Sequence, residues 1–273
     1  MQKTNIEYLT HTWNPIAMRC TPVSFGCDNC WHLRMANRLG GCDFFASDVK
    51  HAYRGDIGPV IRTRELSAPL RLKKPSVIGV QFMGDIFHEK VTNEMIAAVF
   101  GVMAACPQHT FVVLTKRPER ALEFLSGNKI CPLTIRLDVS WPLQNVWFGV
   151  SIEDQKTADE RIPLLLQIPA AKRFVSAEPL LERTIISGQR CYVPYTCCDG
   201  YECGCMGLPI EPPPYLDWVI CGSETGPGKR PMNLEWARSL RDQCKSAGVP
   251  FFFKKDSDGN HTLDGVVHEE MPK

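Results

Sequence analysis

Apolar residues in this chain come as short bare runs that alternate with segments of helical period, the pattern of a βα series. Residues 77–83 (VIGVQFM) form a continuous apolar run ended by Gly84-Asp85 and predict a buried strand. In 93–106, Met95, Ile96, Val99, Phe100 and Met103 fall at helical spacing behind Thr92 or Asn93, either of which can cap a helix. A strand at 111–115 (FVVLT) follows, then a short helix at 118–126 with Pro118 at its head. Further strands are predicted at 145–152 (NVWFGVSI), 173–177 (RFVSA), 217–222 (DWVICG) and 250–254 (PFFFK), and a first one within 7–13. Between them, 157–168 carries Ala158, Ile162, Leu165 and Leu166 on one helical face. Residues 234–247 carry Trp236, Leu240 and Cys244 at i, i+4 and i+8, with Gly248 as the cap. Strands that are apolar on both faces belong to mostly parallel sheets covered on both sides. The expected class is α/β, a partial (β/α) TIM-like barrel of mostly parallel strands. The pattern alone also fits an open doubly wound sheet. One domain over 1–273 is expected, with insertions at about 39–74 and 188–215.

Polar groups follow nearly every predicted strand. They are Gly84, Asp85, His88 and Glu89; Lys116 and Arg117; Ser151 and Glu153; Ser176 and Glu178; Ser223, Glu224 and Thr225; and Lys254 and Lys255. The carboxyl ends of parallel strands share one face, where ligands bind, so these residues are expected at one mouth.

Composition narrows the class. Hydrophobic residues make up 44% of the chain, enough for a sizeable core. The apolar runs are too short to cross a bilayer and the N-terminus lacks an apolar signal core. A soluble cytoplasmic protein with no membrane partner is expected, in the host cytoplasm if the chain is phage-encoded. A net charge of +1 supplies no strong field, so a nucleic-acid partner would need a local basic patch. Arg62, Arg64, Arg71, Lys73 and Lys74, with Lys229 and Arg230, are the candidate phosphate contacts.

Thirteen cysteines in an unexported chain favour metal or cluster ligation over disulfides. Cys20, Cys27 and Cys30 stand in a C-x6-C-x2-C spacing shaped by Pro22 and Gly26. Three thiolates on a [4Fe–4S] cubane leave one iron open for S-adenosylmethionine. The alternative is zinc, with His32 or Cys42 as a fourth ligand. Cys191, Cys197, Cys198, Cys203 and Cys205 form a second group, read as a zinc site or an auxiliary iron–sulfur cluster, with Tyr192, Tyr195 and Tyr201 interleaved. Cys106, Cys131, Cys221 and Cys244 are expected as small core hydrophobes.

The motifs WNP, C-x6-C-x2-C-W, FMGDIFHE, VLTKRPER, VWFGVSIEDQ, RFVSAEPLL, CGSETGPGKRPM and FFFKK occur in that order from Trp13 to Lys255. In this the chain resembles the phage Gp37/Gp68 (DUF5131-like) family, a divergent branch of the radical S-adenosylmethionine superfamily. The resemblance implies a [4Fe–4S] cluster on Cys20, Cys27 and Cys30. It implies a cofactor site at Met83, Gly84, Asp85, Lys116, Arg117, Ser151, Glu153 and Ser176. Met83-Gly84-Asp85 stand where the superfamily has a Gly-Gly-Glu-like turn. Glu178, Glu224, His88 and Lys254 are the candidate catalytic residues. The implied activity is isomerisation of a glycine-bearing thymine in phage DNA, moving the bond from the glycine nitrogen to its α-carbon. The base would be flipped out or single-stranded, and a reductant protein would feed the cluster. The spacing departs from the superfamily's C-x3-C-x2-C, and Trp31 follows the last cysteine where an aromatic usually precedes it. Two rivals stand beside this reading: a radical enzyme on RNA or a peptide, and a non-catalytic zinc-stapled nucleic-acid-binding protein.

Overall fold

The computed structural model describes residues 1–126, 141–186 and 215–273. Strand β1 (Gln2–Lys3) pairs antiparallel with β2 (His11–Trp13), and a small separate ladder joins β3 (Ile16–Ala17) to β4 (Val60–Ile61). From β2 onward the main sheet is parallel. It runs through β5 (Val77–Val80), β6 (Thr110–Thr115), β7 (Val146–Ile152), β8 (Lys172–Ala177), β9 (Trp218–Cys221) and β10 (Phe251–Phe253). Spatial order follows chain order, β1-β2-β5-β6-β7-β8-β9-β10, with no reversal. A doubly wound sheet requires such a reversal, so that alternative is excluded. The sheet is mostly parallel and not closed; β1 and β10 are its edges.

Consecutive parallel strands joined by crossovers of one hand place the connecting helices on one face. Helices α1 (Trp31–Gly40), α2 (Ser47–Arg54) and α3 (Thr63–Leu66) lie in the segment before β5. The crossover helices are α4 (Asn93–Ala104), α5 (Pro118–Ser126), α6 (Gln155–Gln167) and α7 (Leu234–Ala247). Their apolar faces (Ile96, Phe100, Phe124, Ile162, Leu240) meet Ile78, Phe111, Phe148, Val175 and Phe253 in one large core. Each fully buried Phe or Leu there contributes roughly 1.5–3 kcal/mol. The alternate strand residues, Val112, Phe174, Ile220 and Phe252, point to the other face. There they pack with Tyr8, Leu9 and Trp218 in a smaller aromatic cluster to which, among the described residues, no helix contributes. The segment before β2 therefore lies across the inner face of the sheet.

Local chemistry sets the ends of the elements. Thr92 caps α4 through Met95 N, and Gly248 ends α7 with φ of 64°. Helix α6 starts two residues before the expected Thr157, because Asp154 is its cap and Thr157 completes a capping box. Strand β5 stops at Val80 rather than running to Met83, because Gln81 turns the chain with φ of +54°. Its side-chain amide then bonds both the N–H (3.0 Å) and the C=O (2.8 Å) of Ile16. A hairpin of β11 (Thr262–Leu263) and β12 (Val266–Val267) was not expected from the pattern. It turns on Asp264-Gly265, both at positive φ. The 188–215 insertion lies, except for Tyr215, outside the described residues, as do Cys131 and the whole second cysteine group. Cys106, Cys221 and Cys244 are buried in the core. Among the described residues, no helix is long and apolar enough to cross a membrane.

Candidate functional site

A cavity of about 470 Å³ opens at the carboxyl ends of the parallel strands. Six successive strands contribute to its wall: Gly84 and Asp85 beyond β5, Thr115, Lys116 and Arg117 at β6, and Ser151 on β7, then Ser176 and Glu178 at β8, Ser223, Glu224 and Thr225 beyond β9, and Lys254 and Lys255 beyond β10. Ile6, Tyr8, Phe82 and Leu114 add an apolar side. All three thiols, Cys20, Cys27 and Cys30, line the same cavity. Among the described residues, no three His, Cys, Asp or Glu side chains gather in a way that would hold one metal ion.

The cysteine loop is held over the strand ends at three points, each by a carboxylate with a cation. At Cys20, the Asp85 carboxylate accepts from Thr115 Oγ1 (2.8 Å), the Lys116 N–H (3.0 Å) and Arg117 Nη1 (3.2 Å). Arg117 also reaches Thr21 O (3.0 Å) and Cys20 Sγ (3.7 Å). His88 supports the same corner. Its Nδ1 accepts from the Lys90 N–H (3.1 Å), which leaves Nε2–H to face Thr21 Oγ1 at 3.0 Å. At Cys27, the fully buried Glu153 carboxylate accepts from Ser24 Oγ (3.1 Å) and Arg161 Nη1 (3.2 and 3.3 Å), and pairs with Lys116. A Cβ on Gly26 would lie 2.3 Å from Glu153 Cγ, so this approach needs glycine. At Cys30, Glu224 Oε2 accepts from Asn29 Nδ2 (2.9 Å), the Arg230 N–H (2.7 Å) and Arg230 Nε (3.0 Å). Arg34 ties Asn29 O (3.2 Å) to Pro227 O (3.0 Å). Cys30 itself precedes the first turn of α1, where the positive end of the helix favours an anion.

These contacts shape the thiols unequally. Burial pushes the Cys20 thiol up to about 11, with Arg117 pulling the other way. Burial acts to raise Cys27 too, but backbone hydrogen bonds at Val23 and Ser24 and the Lys116 charge outweigh it, and its pKa is lowered. His32 Nε2 accepts the Cys20 N–H at 3.3 Å, and burial lowers the imidazole to about 4, so it is neutral.

The expected site residues thus divide into two sets. Gly84, Asp85, Lys116, Arg117, Ser151, Ser176, Glu178, Glu224 and Lys254 line the cavity with the three cysteines. Met83, His88 and Glu153 do not. Met83 packs beside the small cluster formed with α1 and α2, and His88 and Glu153 are fully buried beneath the cysteine loop. Glu178 and Lys254 form an ion pair across the Gly222 backbone (2.7 and 2.9 Å), with the Lys254 ammonium 5.8 Å from the Tyr8 ring centre. Residues that the pattern did not single out are Tyr8, Ser24, Asn29, Arg34 and Arg161. For Arg161 the available signal was an arginine on an otherwise apolar helix face.

The basic run is split. Arg62 donates to Asn14 O near the cysteine loop, whereas Lys73 and Lys74 precede the start of β5, at the end of the sheet opposite the cavity. Arg71 is occupied by its own segment, donating through Nη2 to Arg64 O at 2.9 Å and through Nη1 to Ser67 Oγ at 2.8 Å. Lys229 and Arg230 lie on the loop beyond β9, tied to Ser257 O and to Glu224.

Comparison with curated proteins and with solved structures returned no match. The sequence model of the family described as "Protein of unknown function (DUF5131)" matches residues 3–272, nearly the whole chain, and the chain belongs to that family.

Proposed function

We propose that this protein is a radical S-adenosylmethionine enzyme built on part of a (β/α) barrel, with a [4Fe–4S] cluster on Cys20, Cys27 and Cys30. The observation that carries the reading is that three thiols and the ends of six successive parallel strands share one cavity. The donor set fits the group. Three thiols on one cavity wall are the number that binds three irons of a cubane and leaves the fourth iron open. The cavity volume of about 470 Å³ suits a small-molecule cofactor. When bound, a cluster with one open iron supplies the electron that cleaves S-adenosylmethionine and yields a hydrogen-abstracting radical.

The chain's own residues do the rest. Asp85, Glu153 and Glu224 hold the cysteine loop rather than the cofactor, since their oxygens are already occupied by protein donors. Ser151 and Ser176 present hydroxyls on the floor for a ribose. Tyr8, Phe82 and Leu114 exclude water from one side. The Lys254 ammonium, held by Glu178, is placed to orient a polar substituent of the substrate. The family resemblance directs the substrate reading to a glycine-bearing thymine in DNA and an isomerase outcome, with the base flipped into the cavity.

Anaerobic purification followed by iron, sulfide and zinc analysis tests the reading. About four irons per chain are expected, lost in Cys27→Ala. Zinc at these cysteines instead would favour the binding-protein reading. Conversion of the modified thymine in single-stranded DNA, and not of RNA or peptide substrates, tests the substrate.

A further inference from the structure

Beneath Cys27 lies a charge group, Glu153, Lys116 and Arg161, of which only Lys116 reaches the cavity wall. Glu153 is fully buried, and its carboxylate meets Lys116, Arg161 and Ser24 Oγ at once. Arg161 also donates to Ser151 O at 2.7 Å, so its guanidinium is locked to the carboxyl end of β7. Glu153 is thus a single carboxylate set between two cations, Lys116 and Arg161, while Arg117 beside them is matched by Asp85 (3.2 Å) and Glu89 (3.4 Å). Lys116 and Arg161 both act electrostatically on Cys27, and Lys116 on Cys30 as well. Burying so many charges is costly and is weak evidence for a gain in stability. A cubane held by three thiolates is a net anion and becomes more negative on reduction, and the charge around a cluster sets its potential.

We propose that Glu153, Lys116 and Arg161 are positioning residues that both seat the Cys27 segment and set how readily the bound cluster is reduced. This rests on the cluster reading above. Lys116 and Arg161 stabilise the reduced state, and Glu153 moderates them while anchoring Ser24 and passing close beneath Gly26.

The test is a redox titration of the reconstituted protein followed by its electron paramagnetic resonance signal. Glu153→Gln removes a negative charge, so the ratio of reduced to oxidised cluster at a fixed potential should rise about tenfold, about 59 mV for one electron. Lys116→Gln removes a positive charge, so the ratio should fall by a similar factor. Arg161→Gln, should Lys116→Gln fail to fold, should move it in the same direction as Lys116→Gln. A residue that only supported the fold would not give shifts of opposite sign. Unchanged potentials, or shifts of the same sign in Glu153→Gln and the cation variants, would overturn the proposal. Absence of a cluster from the wild-type protein would instead sink the functional reading beneath it.

Discussion

Gly26 shows how much of this site rests on single atoms. Its Cβ position is 2.3 Å from Glu153 Cγ and 2.5 Å from Oε1, and Glu153 is pinned by Arg161. Gly26→Ala should therefore lift the cysteine loop, costing about 1–3 kcal/mol in urea unfolding, with a parallel fall in bound iron. Lys254 gives a pH-dependent counterpart. Burial acts to lower its ammonium, but Glu178 and Tyr8 more than reverse this and the pKa is raised. A raised folded-state value gives stability that is fully present below the ordinary lysine value of about 10.4 and lost as pH rises through the folded value. Lys254→Met should lower unfolding stability by about 1–3 kcal/mol near neutrality, and the gap to wild type should narrow above about pH 10.4. At this scale the sequence placed residues better than it assigned them work. Asp85, Glu153 and Glu224 were legible as strand-end carboxylates. Their partners Arg117 and Arg161 come from different elements and Arg230 from the same loop as Glu224, and only the folded chain shows that each pair holds a corner of the cysteine loop.

Elements with a complete local signal are legible to the residue. Helices α5 and α7 have a proline at the head or a glycine at the tail, and their bounds match the apolar period. Strand β5 is shorter than its apolar run because Gln81 turns it for a distant reason, the pairing of its amide with Ile16. The β11–β12 hairpin carried its signal in Asp264-Gly265 between Leu263 and Val266, a two-residue turn with both φ positive. Asp264 also joins this hairpin to α7. Hydrogen bonds from Arg238 and Arg241 lower its carboxyl to about 2. A depressed folded-state value gives stability present above the ordinary value of about 3.9 and lost as pH falls through about 2. Wild type should therefore melt higher than Asp264→Asn above about pH 4, and the difference should vanish near pH 2.

Across the whole molecule the strand direction separates two ends. The cysteine loop and the cavity sit at the carboxyl end, and Lys73 and Lys74 at the other. A nucleic acid that presents a base to the cavity would be met by Lys255 on the cavity wall, not by those lysines. Lys255→Ala should reduce the salt slope of DNA binding by about one, whereas Lys73→Ala and Lys74→Ala should leave it unchanged in a fluorescence titration. The βα order was legible from bare apolar runs. The choice between a reversing and a sequential sheet was not, because strand neighbours depend on crossovers that leave no mark in local periodicity. The radical chemistry proposed for the cavity at the strand ends can be tested without knowing the substrate. The most direct measurement is release of 5′-deoxyadenosine from S-adenosylmethionine by the anaerobically reduced protein. Release is expected from wild type and none from Cys20→Ala, Cys27→Ala or Cys30→Ala; a cluster-loaded wild type that releases none would rule radical chemistry out.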